Sequence, residues 1–177
     1  AEALDAAYIL IESGAYKNAR RLAAASLGQK SVFMVTAIGD SEVDAIYHGV
    51  VKPKLRAHGF AVARADELRH TDLITNAIFG AIAGSRFVVA DLTNARPNSY
   101  YELGYAHALG KPGMIIAKSG TVRQFDVAGY RWNYWSAVAE FGPSFEAELL
   151  GVLVQLEGSR AASVPNPAQG LQGGPPG

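Results

Sequence analysis

RFVVADLTNARPNSYYELGYAHALG, residues 86–110, holds a strand, a loop and a helix in immediate succession. Arg86–Asp91 is a short apolar run rich in β-formers and predicts a strand. Asp91 ends that run, where an acid adds little to stability. The loop Leu92–Asn98 follows, and Ser99–Leu109 predicts a helix closed by Gly110. Gly113–Ala117 then starts a further strand.

Outward from this stretch the alternation continues. Ser31–Ala37 reads as strand one. Val43, Ile46, Val50 and Leu55 share a helical face that Pro53 kinks or shortens and Gly59 ends. Phe60–Arg64 reads as strand two. Thr71 or Asp72 is the expected cap of a helix through Ala83, with Ile74, Ile78 and Ile82 on one face. Residues 130–135 (YRWNYW) can form a fifth strand, and Phe145–Leu156 a closing amphipathic helix. The apolar runs are continuous rather than alternating, which marks strands buried on both faces of a parallel sheet. Right-handed crossovers then put helices on both sides. The expected fold is α/β, doubly wound and flavodoxin-like, with four or five parallel strands spanning residues 30–157.

Two flanks lie outside this domain. Residues 1–29 read as an N-terminal helical hairpin, with Leu4, Tyr8 and Ile11 at helical spacing and Ser13-Gly14 as the break. The hairpin reads as a packing or dimerising appendage, so a homo-oligomer is expected, or as a linker helix to a further domain. Residues 158–177 are rich in Pro, Gly, Gln and Ser without periodicity and read as a flexible tail. The chain starts at Ala1 rather than Met, which suggests processing or excision.

Composition narrows the function. The 177 residues include 16 Lys+Arg and 16 Asp+Glu, a balance that argues against binding a nucleic-acid polymer. Hydrophobic residues at 49% and charged residues at 18% describe a chain that folds. There is no cysteine, which excludes disulfides, thiolate catalysis and cysteine-ligated metals. It leaves the compartment open, with the cytoplasm as the default. No apolar run reaches the length of a membrane span, so no membrane partner is expected. His48, His58, His70 and His107 show no zinc spacing, so neither a metal nor a cofactor is expected.

In an open parallel sheet, ligands bind beyond the carboxyl ends of the strands, where strand order reverses. Three segments qualify: Ile38–Glu42, Ala65–Thr71 and Asp91–Glu102. The first has no phosphate-binding glycine pattern beyond the Gly39 turn. Its acids Asp40, Glu42 and Asp44 would repel phosphate, bind sugar hydroxyls, or simply favour the helix dipole. In the third, Asp91 faces a ligand or accepts backbone N–H groups in its own turn. Asn98 or Ser99 is the expected N-cap, and Ser99 to Glu102 has capping-box spacing. Glu102 is then either a capping partner or a carboxylate facing the crevice. The aromatics of residues 130–135 read as core or interface rather than as a base-stacking platform.

VVADLTNARPNSYYELGYAHALGKP (88–112) resembles the nucleoside 2-deoxyribosyltransferase-like superfamily, and more closely its bacterial branch related to Toll/interleukin-1 receptor (TIR) domains. DAIYHGVVKPKLRAHGFAVARADE (44–67) and TDLITNAIFGAI (71–82) are similar to the same branch, in the same order. The resemblance covers about residues 31–135. It implies that Glu102, ahead of Leu103-Gly104, is the carboxylate at the anomeric carbon of an N-glycoside, and that Asp91 assists near the base and sugar. Asn98, Ser99 and Tyr101 would shape the pocket, with Gly39 and Asp40 as its floor.

One departure counts. Where the deoxyribosyltransferases carry an Asp-Pro-Gly-Thr-like run, this chain has Arg96-Pro97-Asn98-Ser99. Arg96 suits a phosphorylated ligand or is a solvated loop residue. The expected function is cleavage of an N-glycosidic bond in a nucleotide or NAD-like small molecule. The rivals are a non-catalytic nucleotide-binding signalling module of the same fold and a purely structural or interaction domain.

Overall fold

The computed structural model describes residues 29–68 and 74–162. Five strands, β1 (Ser31–Val35), β2 (Ala61–Arg64), β3 (Phe87–Asp91), β4 (Gly113–Lys118) and β5 (Trp132–Trp135), form one parallel sheet in the order β2-β1-β3-β4-β5. That is the flavodoxin-like, doubly wound order. The expected helices lie on both faces: α1 (Ser41–Ile46) and α2 (Lys52–Ala57) with α5 (Val138–Ala162) on one, α3 (Ile74–Gly84) and α4 (Pro97–Ala108) on the other.

The two-residue period of the strands divides the core between these layers. Val32, Met34, Phe87 and Val89 pack with Val43, Ile46, Leu55, Phe141 and Phe145. Phe33, Val35, Val88 and Ala90 pack with Ile78, Ile82, Leu103 and Ala106. Every residue of β3 is buried, as its unbroken apolar run requires at the centre of a parallel sheet.

The helix after β1 does not stop at Pro53. Residues Tyr47–Val51 form a π-helical segment that joins α1 to α2, and the Lys52 N–H donates to the Tyr47 carbonyl five residues back. Proline has no N–H to give, and its ring crowds the carbonyl four residues earlier. Widening the turn just before Pro53 accommodates both. Gly59, at φ +78°, ends the helix as its sequence position predicts. Gly49 is required by contact: a Cβ there would lie 2.7 Å from Val138 Cγ1.

Three expectations need correction. The N-cap of α4 is Arg96, with Pro97 at the first helical position, so neither Asn98 nor Ser99 caps the helix and Ser99–Glu102 forms no capping box. The closing helix begins at Val138, ahead of Phe145, with Pro143 near its start. That helix also continues to Ala162, so the boundary placed at 158 falls inside it. The proposed N-terminal hairpin, the Thr71 or Asp72 cap, His70 and residues 163–177 lie outside the described residues, as do all of residues 1–28.

Candidate functional site

The chain leaves β1 for α1 on one face of the sheet and leaves β3 for α4 on the other. A crevice opens between the carboxyl ends of these two strands, as this topology demands. It holds about 670 Å³. Its walls are Thr36, Ala37 and Ile38 after β1, Ala65 after β2, the start of α3 from Ile74 to Phe79, and Arg96–Glu102.

Among the described residues, Glu102 is the one acid on these walls. It stands in the second turn of α4, past the free N–H groups at the helix start. Ser99 and Asn98, three and four residues back, share its side of the helix and also line the crevice. Among the described residues, no side chain donates to its carboxylate. Half-burial against Ile74, Ile78 and Phe79 raises its pKa from 4.5 to about 7, with desolvation as the cause. A carboxylate whose ionisation is costly, facing a crevice, marks a candidate functional site.

Asp91 is a different kind of acid. It is 1% exposed and does not line the crevice. Its Oδ1 accepts from the Thr93 N–H at 2.9 Å and its Oδ2 from the Trp135 indole N–H at 3.0 Å. Burial pushes its pKa up, while these donors pull it down. Its carboxylate ties the end of β3 to the loop ahead and to β5.

Asp40 is the N-cap of α1. Its Oδ1 accepts from the backbone N–H groups of Glu42 and Val43, and its Oδ2 from Asn94 Nδ2 at 2.7 Å. Gly39 supplies the left-handed turn at φ +86°. Neither lines the crevice, whose β1 side is formed by Ile38. Arg96, Asn98, Ser99 and Tyr101 do line it. The Arg96 guanidinium is exposed and meets no acceptor among the described residues.

Of the aromatic wall, Tyr101 was expected and Phe79 and Tyr105 were not. Phe79 stacks on Tyr105 at 4.3 Å between ring centroids and tilts against Tyr101 at 5.6 Å. Tyr101 is 67% exposed, so this cluster offers a ring to a flat ligand at the crevice rim. Of the Ile74, Ile78 and Ile82 stripe, Ile78 and Ile82 belong to the core, and Ile74 and Ile78 line the crevice. Phe79 flanks that stripe, and an aromatic beside an apolar stripe was the available signal. Trp132 and Trp135 are core residues on opposite faces of the sheet.

The described histidines hold structural positions. His58 Nε2 lies 2.5 Å from Glu146, His107 stacks on Tyr130, and His48 meets the edge of Tyr47. Among the described residues, no group of three His, Asp or Glu side chains is placed to hold a metal ion. Nor is any helix long and apolar enough to cross a membrane.

No protein-family model matches the sequence, and none of the curated proteins matches it. Solved structures do. A CMP N-glycosidase from Clostridium botulinum superposes with a TM-score of 0.54 at 18% identity, over 67% of this chain and 99% of that one. A 2-deoxyribosyltransferase from the psychrotolerant bacterium Bacillus psychrosaccharolyticus gives a TM-score of 0.47 at 14% identity, over 62% of this chain and 88% of that one. The five-stranded domain therefore shares the α/β fold of the N-glycosidase, whose whole length it spans.

Proposed function

We propose that this chain cleaves the N-glycosidic bond of a nucleoside or nucleotide, with Glu102 as the carboxylate at the anomeric carbon. The observation that carries the reading is Glu102 itself: an acid with no donor among the described residues, half-buried in a largely apolar crevice at the switch point, with its pKa raised to about 7. The resemblance of residues 88–112 to the deoxyribosyltransferase-like superfamily and its TIR-like branch supports the same residue. The fold shared with a CMP N-glycosidase supports the reaction class and not the residue.

The chemistry follows from the wall. Breaking the bond between base and sugar builds positive charge on the anomeric carbon and ring oxygen. A poorly hydrated carboxylate stabilises that charge more strongly than one in bulk water. Glu102 Oε attacks the anomeric carbon, and the bonding pair leaves with the base, which takes a proton from solvent. Water then hydrolyses the glycosyl ester, returning the carboxylate and a free sugar, or a second base takes the sugar instead. The base stacks at Phe79 and Tyr101, and Arg96 pairs with a phosphate. Asp91, with both oxygens engaged, acts as a positioning residue that fixes the β3–α4 loop.

The test is release of free base from nucleosides, nucleoside monophosphates and NAD, followed by reverse-phase chromatography. Glu102→Gln is nearly isosteric and should lower turnover by at least about a hundredfold, the low end for a removed catalytic group. Equal turnover by both proteins would remove Glu102 from the mechanism. No release from any substrate, together with a ligand-induced rise in melting temperature, would favour the binding module without turnover.

A further inference from the structure

The sheet is covered unevenly at β2. This strand ends the sheet and, among the described residues, pairs only with β1. Its Val62 and Arg64 are buried toward the layer of α1, where Val62 joins the core and Arg64 pairs with Asp44. Its other face carries Ala61, which is exposed, and Ala63, which is half-buried. Between this face and the end of α3 lies a groove of about 300 Å³. Its walls include Ser31 and Phe33 of β1, Ala61 and Ala63 of β2, and Ala81 and Gly84 of α3.

The walls describe what belongs there. Strands of a parallel sheet bury both faces, and this face of β2 is left bare. An edge strand that faces water is usually guarded by charged side chains, and none lines the groove. A strand that meets a helix through long side chains favours valine or isoleucine, whereas alanine leaves room for a helix backbone to come close. Gly84 adds to that room, since a Cβ there would meet nothing within 4 Å. The hydroxyls of Ser31 and Ser85 at the groove already donate to the Gly84 and Ile82 carbonyls. The groove therefore presents apolar surface to a packing element rather than hydroxyl donors to a polar ligand.

The chain itself supplies such an element. Residues 1–28, outside the described residues, end three positions before Ser31, which stands on the groove wall. Three Cα steps span at most about 11 Å, so residue 28 lies beside the groove. On the helical period expected of residues 15–27, Ala15, Ala19, Leu22 and Ser26 share one side with Ala23 next to it, and Lys17, Arg20 and Arg21 fall on the other. One leucine among small residues matches a groove of alanines with a single hollow to fill. A helix of that length, about 20 Å, covers the four residues of β2. The tether holds the segment at the groove at about millimolar effective concentration, an advantage that a separate partner lacks.

We propose that residues 15–28 dock in the groove between β2 and α3 of their own chain, with Leu22 as the side chain that fills it. The segment completes the layer of α3 and α4 and covers the bare face of the edge strand. Among the roles the sequence leaves open for the N-terminal residues, this selects packing on their own domain. It is independent of the glycosidic reading of the crevice.

The chain has no cysteine, so paired cysteines report the contact without background. Ala61→Cys is combined in turn with Ala19→Cys, Leu22→Cys, Ala23→Cys and, as the control on the opposite side, Arg21→Cys. The full chain is oxidised mildly, and the products are read by gel mobility and by mass spectrometry after digestion. A disulfide needs Cβ atoms about 3.5–4.5 Å apart, so at least one of the three inner positions should close within the chain at least about tenfold faster than Arg21→Cys. No disulfide from any inner position, or one formed as fast with Arg21→Cys, would overturn the docking. Disulfides formed only between chains would overturn it as well and assign the groove to a second copy.

A second measurement needs no cross-link. In Leu22→Asp, hydrogen exchange of the amides of residues 61–63 and 81–85 should rise about tenfold or more, as loss of one buried leucine allows. No change there would overturn the docking. So would a rise confined to α5, whose Leu150 and Val154 are also exposed, because it would place the segment on the opposite layer.

Discussion

Replacing Glu102 by glutamine should stabilise the protein while it removes activity, and the stabilisation should depend on pH. In the unfolded chain this carboxyl titrates near 4.5, and in the folded chain near 7. Between those values the folded state holds a proton that the unfolded state has lost. Stability therefore falls as pH rises through that window, and the loss is complete above about pH 8. The full shift corresponds to about 3 kcal/mol. The side chain is half-buried and open to the crevice, and solvent screening reduces this to about 1–2 kcal/mol. Glutamine is the neutral stand-in for the protonated acid and escapes the penalty. At about 2–4 °C per kcal/mol for a chain of this size, Glu102→Gln should melt roughly 2–8 °C above wild type at pH 8. At pH 4.5 the two should melt together. Thermal scans of both proteins in matched buffers between these limits give the difference directly, because the other titrating groups cancel. A difference that does not change with pH, or a variant less stable than wild type at pH 8, would refute the claim that desolvation of Glu102 strains the folded state.

Three further outcomes follow from named contacts. On the proposed mechanism, in which ionised Glu102 attacks, the rate of base release should climb about tenfold per pH unit below pH 7 and level off above pH 8; a flat profile from pH 5 would contradict that mechanism. Asp91→Ala leaves the Thr93 N–H and the Trp135 indole without acceptors in a buried place. It should cost about 2–4 kcal/mol in chemical denaturation, the desolvation of two orphaned donors. Ala95→Gly relieves a left-handed alanine at φ 46° and should gain a few tenths to about 1 kcal/mol, the strain removed less the added freedom of the unfolded chain. A loss of stability there would mean that the β3–α4 loop is held by the Ala95 methyl group rather than strained by it.

The sheet was legible because its strands are buried on both faces. Phe87–Ala90 and Met114–Ala117 are unbroken apolar runs, as strands of a parallel sheet covered on both faces use, and their alternation with helical stretches selects that sheet. The start of α4 was misread for an equally physical reason. Ser99 and Glu102 have the spacing of a capping box, but Pro97 two residues earlier is already suited to the first helical position, and it moves the start of the helix forward. The move matters for the site. Once Glu102 is excluded from capping, the carboxylate is released to the crevice. Phe79 was missed because helical periodicity assigns a residue to a stripe or away from one. It does not reveal that the helix beside a strand terminus exposes its flank to a ligand.

The two carboxylates that sequence reasoning paired at the site are separated by their donors. Asp91 ends β3, where the backbone of Thr93 turns back toward it and Trp135 on β5 points an N–H at it. An acid so supplied is held by its neighbours and has little left to offer a ligand. Glu102 sits one loop and one helical turn further on, past the helix start, where every backbone N–H is taken up within the helix and the facing residues are isoleucine and phenylalanine. Among the described residues, no side chain there compensates its charge. The same short stretch thus fixes the loop with one acid and leaves the other without a donor among the described residues. A cationic centre forming on a bound sugar would be the partner that the folded protein withholds from Glu102. The pH-dependent gain on Glu102→Gln and the loss on Asp91→Ala are two measurements of that one division of labour, and they must have opposite signs if it is real.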